Sequence, residues 1–384
     1  MKFLKIIVTY FLIIFVTGII AAVLGEIYVR FFSEYGRMTP VLSRERSLEY
    51  EPALFCRHIF PEKEKFVSEC ITKDYKEAPK YHINARGYRG KDFSPEKPLG
   101  TIRVIIYGGS SVFDTRTQVD EGGSWPEKVQ NILRQNGYPE VEVINAGIPG
   151  HASFDSLGRL FARDHRYGPD YVVLYNGWND IKYFHSSRPL IHQFKPFQKG
   201  RDPRLSYQNW LDKILCRYSQ LYERLRSRYY NWKLNLGKEG IKPRGDVGSI
   251  ITEKSLEQFQ LNLEMFLDLA RNINAVPILM TQARLITPDN SESDKEKIGY
   301  GMVLLDHQSL CKAFSEVDRI IKVVAKEKDA AVIDPTDELN GNSDYFTDHV
   351  HLTPKGSGRL AELVAADLAR IIVNTKKDDH SGGL

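Results

Sequence analysis

From Thr101 onward, short apolar runs alternate with longer stretches of helical periodicity, and this alternation constrains the fold more than any other feature. Five runs have the character of strands: Arg103–Tyr107, Val141–Asn145, Tyr171–Tyr175, Pro277–Thr281 and Ala331–Ile333. Helical patterns lie between and after them: Trp125–Asn136, Ser156–Tyr167, Leu256–Ile273, Leu310–Lys326 and Pro354–Val373. Such alternation is typical of a parallel sheet covered by helices on both faces. We therefore predict an α/β domain around a parallel, five-stranded sheet.

The first strand ends in two glycines followed by two serines, within TIRVIIYGGSSVFD (residues 101–114). The carboxyl ends of the strands form the edge at which open α/β sheets bind ligands, so a hydroxyl here lies at the functional edge. Gly-Gly-Ser-Ser is also an ordinary turn sequence, and the segment alone does not establish a site.

Polar residues also follow the other strand ends. NAGIPGH (residues 145–151) includes Gly150, NGWND (176–180) includes Asn179, and FTDHVHLTPKG (346–356) includes Asp348 and His351. Each has an ordinary structural alternative: a turn at Gly150, a helix cap at Asn179 or Asp348, and a surface loop at His351. His349 and His351 are also potential metal ligands, but no compatible second cluster accompanies them, so we predict no metal site.

In this order, the four segments resemble the sequence blocks of the SGNH/GDSL hydrolase family, here YGGSS, NAGIPGH, NGWND and DHVH. The resemblance spans about Thr101–Val373 apart from an insertion, and Trp125-Pro126 also resembles the family pattern. It implies the three-layer, flavodoxin-like fold of SGNH hydrolases and an enzyme without a cofactor.

The resemblance also implies a role for each site residue. Ser110 is the nucleophile, His351 its general base and Asp348 the carboxylate that orients His351. The oxyanion hole comprises the backbone N–H groups of Ser110 and Gly150 and the side chain of Asn179. Gly109 stands at the position of Asp in the Gly-Asp-Ser-Leu motif that gives the family its name. In this respect the chain resembles the relatives whose first block begins with Gly-Gly-Ser. Ser111 is a rival nucleophile, disfavoured because the family serine is the third residue of its block.

These residue types suit acyl transfer through an acyl-enzyme. A serine hydroxyl needs a base during attack, histidine titrates near neutrality, and fixed donors stabilise the oxyanion. With water as the acceptor the chain is a serine esterase, and membrane-anchored relatives suggest O-acyl (acetyl) esters of a cell-envelope glycan or lipid as substrates. The alternatives are an O-acyltransferase that acts on a polysaccharide and a non-catalytic glycan-binding module of the same fold.

The N-terminus predicts a membrane anchor. Lys2 and Lys5 precede Ile6–Leu24, which is 19 residues without a charge. This length approaches that of a bilayer span and exceeds the apolar region of about 7–15 residues in a signal peptide. Because Val23 and Gly25 are small enough to permit cleavage, a cleaved signal peptide stays an alternative. We place the chain in the cytoplasmic (inner) membrane as a single-pass protein with an extracytoplasmic catalytic domain.

The predicted organisation is an anchor (1–32), a lead-in (33–98), a catalytic domain (99–375) and a polar tail (376–384). Cys56 and Cys70 in the lead-in are candidates for a disulfide, with free thiols as the alternative. A net charge of +4 is too small to indicate a nucleic-acid partner.

The catalytic domain carries a basic insertion at about 184–250. Residues 192–244 contain 13 Lys/Arg and 4 Asp/Glu, a formal charge of +9. Apolar and aromatic residues recur at helical spacing from Trp210 to Trp232, which predicts one long amphipathic helix. It is either a helix with a solvated basic face packed on the main domain, a cap over the site, or a surface for phospholipid headgroups or an acidic glycan. In the last case, Arg224, Arg226 and Arg228 are expected to contribute to recruitment.

Overall fold

The computed structural model describes residues 2–32, 84, 86–117, 122–184, 208–233 and 250–381. Cys56, Cys70 and most of the predicted lead-in lie outside these residues, as do both flanks of the basic insertion. The chain divides into two compact units. Among the described residues, the smaller unit comprises 2–32 and 208–233, and the larger unit comprises the remainder.

The larger unit is built on a parallel, five-stranded sheet, as predicted. Its strands are β1 (Ile102–Gly108), β2 (Val141–Gly147), β3 (Tyr171–Tyr175), β4 (Val276–Met280) and β5 (Ala331–Ile333). Their order in the sheet is β2-β1-β3-β4-β5, and every pairing is parallel. The chain leaves β1 for β2 on one side and returns to β3 on the other. The carboxyl ends of β1 and β3 therefore flank the topological switch point, where sheets of this order bind their ligands.

Helices cover both faces of this sheet. In chain order the α-helices of the described residues are α1 (Lys2–Phe31), α2 (Ser110–Phe113), α3 (Trp125–Gln135), α4 (Ser153–Ala162), α5 (Trp178–Ile181), α6 (Trp210–Tyr218), α7 (Gln220–Lys233), α8 (Glu253–Asn272), α9 (Glu292–Lys295), α10 (Tyr300–Val303), α11 (His307–Glu327), α12 (Thr336–Leu339) and α13 (Pro354–Ser381). Ile105 and Tyr107 of β1 join a core with α4, α8 and α11. Val104 and Ile106 point to the opposite core, with α3 and α13. The alternation of strand side chains thus produces the predicted three layers.

Two helix predictions need correction, and a third helix is longer than expected. The pattern from Trp210 to Trp232 is not one helix, because the chain is extended at Ser219 (φ −119°, ψ 113°) between α6 and α7. The Ser219 hydroxyl accepts a hydrogen bond from the Tyr222 N–H at 2.9 Å and so caps the second helix. The pattern predicted over Ser156–Tyr167 divides into α4 and a 3₁₀-helix. Helix α13 continues to Ser381 and includes part of the predicted tail.

The end of the predicted lead-in packs with the larger unit. Tyr88 and Phe93 belong to its core, and Arg89 forms an antiparallel β-bridge with Asn145 at the end of β2. Arg89 is itself buried. Residues immediately before the first strand are therefore part of the structure that surrounds the sheet edge.

Helix α1 contains the predicted apolar span. Its segment Ile6–Phe31 has 26 residues, with a mean hydropathy of 2.8 over an 18-residue stretch, and it is long and apolar enough to cross a membrane. A signal sequence meets the same criteria of length and composition. Within the described residues no other helix meets them.

Candidate active site

The turn after β1 presents Ser110 at the switch point. The strand ends at Gly108, and Ser110 is the first residue of the short helix α2. A Cβ atom at Gly109 would lie 2.2 Å from the Nδ2 atom of Asn179 and 3.1 Å from the carbonyl oxygen of His151. No side chain fits at position 109 in this arrangement. Glycine in place of the family's Asp at position 109 therefore leaves room for the Asn179 amide.

Ser110, His351 and Asp348 form a continuous hydrogen-bonded chain. The Nε2 atom of His351 is 2.7 Å from the Ser110 Oγ atom. Its Nδ1 atom is 2.8 Å from Oδ1 and 2.7 Å from Oδ2 of Asp348. Asp348 Oδ1 also accepts the backbone N–H groups of Val350 and His351, at 3.1 and 3.0 Å, which fixes the loop before α13. The structure thus brings together three of the five predicted site residues in contact.

The carboxyl group of Asp348 is held in its charged form. Burial by itself raises its pKa, but the hydrogen bond and charge of His351 outweigh burial and hold the pKa well below its ordinary value. Arg116 adds a longer ion pair, with its Nη2 atom 3.5 Å from Asp348 Oδ2. A permanent negative charge therefore faces the Nδ1 side of His351.

Asn179 and Gly150 are brought together by their shared neighbour His151. The Asn179 Nδ2 atom donates to the His151 carbonyl at 2.8 Å, and its Oδ1 atom accepts from Lys182 Nζ at 2.5 Å. These two bonds fix which way the amide points, and they leave one of its two N–H groups for another acceptor. Gly150, directly before His151, has a φ of +89°, a conformation that favours glycine.

Ser111 faces the interior. It is buried, its hydroxyl donates to the Val350 carbonyl at 3.3 Å, and it accepts from Gln282 Nε2 at 3.0 Å. The amide oxygen of Gln282 is also engaged, because its Oε1 atom accepts the N–H of Trp178 at 2.5 Å. The second serine is therefore part of the support beneath the site.

Three side chains secure the turn that carries Ser110. Trp125 Nε1 donates to the Ser111 carbonyl at 2.8 Å, and Asn145 Nδ2 donates to the Val112 carbonyl at 2.9 Å. Arg89 Nη1 donates to the carbonyls of Phe113 and Asp114, at 2.6 and 2.5 Å. A helix of one turn leaves its carbonyls without helical partners, and these donors satisfy them.

Arg89 and Gln282 support the site, although no sequence pattern predicted these roles. Gln282 follows β4 by two residues, so the strand-end argument that found Asn179 applies to it equally. Arg89 has no such signal, because it lies before the first strand in a segment with several basic residues. Its role depends on a contact with α2 that spacing does not reveal.

Asp180, which ends the NGWND segment, is a structural residue. Its Oδ1 atom accepts the Ser153 N–H at 3.0 Å and the Ser153 hydroxyl at 2.6 Å, while Asn262 donates to that hydroxyl at 2.9 Å. Burial raises the pKa of Asp180 to about 6 despite these bonds. The cluster joins α5 to α4 and α8 beneath the site.

His349 lies beside His351 but is buried. Its ring packs on Trp178 with the centroids 3.8 Å apart, and burial lowers its pKa to about 3. Potential ligand atoms of Asp348, His349 and His351 lie within 4.8 Å of one another. Asp348 and His351 are hydrogen-bonded to each other, and the ring of His349 lies 5.7 Å from that of His351.

The sequence matches the family model of the GDSL-like lipase/acylhydrolase family over residues 106–359. No curated protein matches it. Similar solved structures include an acetylxylan esterase from Geobacillus stearothermophilus, which is 15% identical with a TM-score of 0.41. Another is a lipase/acylhydrolase from Enterococcus faecalis, 17% identical with a TM-score of 0.41. Each comparison covers 70% of this chain and 95% of the other. At these scores the family match, and not the solved structures, carries the assignment.

Proposed function

The chain belongs to the GDSL-like lipase/acylhydrolase family and is a hydrolase of ester bonds, and we propose that it acts through Ser110, His351 and Asp348. The observation that carries the proposal is the 2.7 Å separation between Ser110 Oγ and His351 Nε2, with Asp348 on the other ring nitrogen. This is the arrangement that a serine nucleophile and its base require.

In the proposed reaction, Ser110 Oγ attacks the ester carbonyl and His351 takes the hydroxyl proton. The charged Asp348 fixes the imidazole with Nδ1–H toward itself and stabilises the imidazolium that forms. His351 then gives the proton to the leaving alcohol. Water repeats the sequence against the acyl-enzyme, releasing the acid and restoring Ser110.

The negative charge that develops on the carbonyl oxygen needs fixed donors. We assign this role to the backbone N–H groups of Ser110 and Gly150 and to the second N–H of the Asn179 amide. The bonds of Asn179 to His151 and Lys182 support the assignment, because a donor that is already oriented costs no reorganisation during the reaction.

We propose O-acyl esters, acetyl esters among them, of a cell-envelope glycan or lipid as the substrates. A membrane-bound enzyme meets such substrates at the surface to which it is attached. Lys2 and Lys5 precede the apolar span, and a span of this length favours an uncleaved anchor in the cytoplasmic membrane. The catalytic unit then lies on the extracytoplasmic side.

The two adjacent serines provide the test of the nucleophile. Ser110→Ala should abolish labelling by a fluorophosphonate probe and reduce hydrolysis of p-nitrophenyl acetate by a factor of at least 10³, as removal of a catalytic nucleophile does. Ser111→Ala is the matched control and should leave labelling largely intact, with a much smaller loss of hydrolysis than Ser110→Ala. Asn179→Ala should still label at Ser110, though more slowly, and lower kcat by about 10²–10³-fold. Labelling that persists in Ser110→Ala and disappears in Ser111→Ala contradicts the proposal.

The acceptor is tested with the same enzyme. Mass spectrometry of products formed from an acetyl ester, with and without an added polysaccharide, distinguishes free acetate from an acetylated glycan. Acetate alone is the expected product. Predominant transfer to the glycan identifies an O-acyltransferase, and absence of both the acyl-enzyme and the product identifies a binding module.

A further inference from the structure

Helices α6 and α7 are polar inside and apolar outside. Asp212, Glu223 and Arg226 are buried, and Arg226 Nε and Nη2 bind the two oxygens of Asp212 at 2.7 and 2.8 Å. The exposed side chains include seven large apolar or aromatic residues: Trp210, Leu211, Ile214, Tyr218, Leu225, Tyr229 and Trp232. This is the reverse of the distribution expected of a helix pair in water, where charged groups face the solvent.

The same helices are fastened to the end of α1. Glu26 accepts hydrogen bonds from the N–H groups of Gln220 and Leu221, at 2.9 and 3.0 Å, and from the Ser219 hydroxyl at 2.8 Å. Arg30 binds Glu26 at 2.7 Å and the Tyr218 carbonyl at 2.6 Å. One pair of charged residues on α1 thus satisfies the last carbonyl of α6 and the first amides of α7.

The contact between α1 and α7 is also close-packed. A Cβ atom at Gly25 would lie 2.8 Å from Leu221 Cδ2, and Val29 is buried one helical turn further along α1. Residues 25, 26, 29 and 30 therefore form one face of α1 dedicated to the helix pair. A signal sequence destined for removal has no need of such a face.

We propose that α6 and α7 form a membrane-interface element, whose exposed apolar surface lies in the headgroup–acyl boundary of the bilayer that α1 spans. The inference rests on the proposed anchoring by α1. It adds that the segment 208–233 is seated on lipid and that Glu26 and Arg30 hold it there.

A bilayer is the occupant that the surface fits. The exposed apolar surface of α6 and α7 is continuous with the end of the apolar span, where Tyr28, Phe31 and Phe32 are exposed as well. Tryptophan and tyrosine favour the membrane–water boundary, and the aliphatic side chains of the patch suit acyl chains. Paired charges that face inward, as Asp212 and Arg226 do, are the usual arrangement of ionisable groups near lipid.

Basic residues complete the match. Lys213 and Arg228 are exposed on the helix pair, where they can meet the phosphates of anionic headgroups. Arg226, by contrast, is committed to Asp212. The expectation that Arg224, Arg226 and Arg228 act alike in recruitment therefore needs correction at Arg226.

The tryptophans of the chain allow a direct test. Trp210 and Trp232 are 73% and 75% exposed, whereas Trp125 and Trp178 are 0% and 3% exposed in the larger unit. The full chain is reconstituted in vesicles of phosphatidylcholine and phosphatidylglycerol with brominated acyl chains, which quench tryptophan fluorescence at short range. Trp210→Phe and Trp232→Phe should each remove about half of the quenching relative to unbrominated vesicles, and the double variant should remove it nearly completely.

Disruption of the hydrogen bonds between Glu26 and the start of α7 supplies a second measurement. Glu26→Ala should reduce the quenching at least two-fold while fluorophosphonate labelling at Ser110 stays unchanged. Glu253→Ala is the matched control, because Glu253 is a first-turn residue of α8 in the larger unit. Equal quenching in Glu26→Ala and the unaltered chain overturns the role of the Glu26 contact.

The outcomes separate this inference from the anchoring on which it rests. Chain that stays in the membrane pellet after alkaline carbonate, but shows no quenching of Trp210 or Trp232, overturns the interface element and leaves the anchoring intact. Release by carbonate overturns the anchoring itself. A change of tryptophan emission with soluble glycan, and none with brominated lipid, identifies a glycan surface and also overturns the inference.

Discussion

The two units of the protein bury opposite kinds of side chain. In the larger unit, residues 104–107 of β1 are fully buried aliphatic and aromatic groups, and polar residues gather at the strand ends. In the smaller unit, an ion pair occupies the interior of a helix pair and tryptophans occupy its surface. Burial follows the solvent, so water on one surface and lipid on the other explain both patterns with the same physics.

The units nevertheless use one device in common. A short or interrupted helix leaves backbone groups unsatisfied, and a charged side chain from an earlier part of the chain completes them. Arg89 does this for the carbonyls of Phe113 and Asp114 at the end of α2, and Glu26 with Arg30 does it between α6 and α7. In the larger unit the device supports the nucleophile. In the smaller unit it attaches a surface to the anchor.

The largest expected effect comes from removing the hydrogen bonds that Arg89 makes in the larger unit. Arg89→Ala leaves the carbonyls of Phe113, Asp114 and Thr117 buried without their donor. At about 1 kcal/mol or more for each, the free energy of unfolding should fall by at least about 3 kcal/mol. Hydrolysis of p-nitrophenyl acetate should fall as well, because Ser110 is held by the same turn. Urea unfolding and initial rates measure the two effects.

Lys91→Ala is the control for this variant. Lys91 lies two residues further along and is exposed, so its loss should change the free energy of unfolding by less than about 0.5 kcal/mol. If both variants unfold alike, the lead-in does not support the site.

The next effect tests the buried ion pair of the smaller unit. Arg226→Met leaves Asp212 charged and buried, which typically costs about 3 kcal/mol or more. The loss should appear as faster hydrogen exchange over residues 208–233, with turnover of small esters unchanged. Adding Asp212→Asn to Arg226→Met should recover part of the protection, whereas Arg228→Gln alone should change little. Loss of activity in Arg226→Met contradicts the separation of the two units.

The contrast between the units also explains what the sequence could predict. Every strand was located to within two residues, because buried parallel strands between glycines and helical patterns have few alternative structures. The four site segments were predicted from polar residues after strand ends and from their order, which resembles the blocks of the SGNH/GDSL family. Arg226 was misjudged as a surface charge, since a partner 14 residues away across a break at Ser219 has no signature in spacing. The contact of Glu26 with α7 spans almost 200 residues and is equally invisible.

A smaller effect concerns acid stability in the larger unit. Burial lowers the pKa of His349 to about 3 from an ordinary 6.5. As the pH falls below 6.5, the unfolded chain takes up a proton that the folded chain refuses. Titration of His349 therefore costs no stability well above pH 6.5. Between pH 6.5 and pH 3 it lowers the free energy of unfolding by up to about 1.4 kcal/mol per pH unit.

Replacement of this histidine isolates the effect. His349→Phe keeps an aromatic ring against Trp178 and removes the titrating group. Between pH 6.5 and 4.5 it should lose about 2–3 kcal/mol less than the unaltered chain, as judged by urea midpoints. The choice of pH 4.5 keeps Asp348 out of the comparison, because its pKa is 3.8 when unperturbed and lower in the fold. If the free energies of unfolding of the two proteins decline in parallel as the pH falls, His349 is not the source of the acid sensitivity.

The smallest expected effect is that of removing residues 2–32. Ser110, Gly150, Asn179, Asp348 and His351 all lie in the larger unit, and their described hydrogen bonds come from within it. Turnover of p-nitrophenyl acetate should therefore stay within about two-fold of the full chain, measured in a mild detergent because the truncation uncovers the α1-facing side of α7. The same truncated chain should bind vesicles far more weakly than the full chain, because it keeps only the exposed apolar surface of α6 and α7. Loss of turnover in a protein with an unchanged circular dichroism spectrum would show that the anchor segment acts on the site, and the independence of the two units would have to be abandoned.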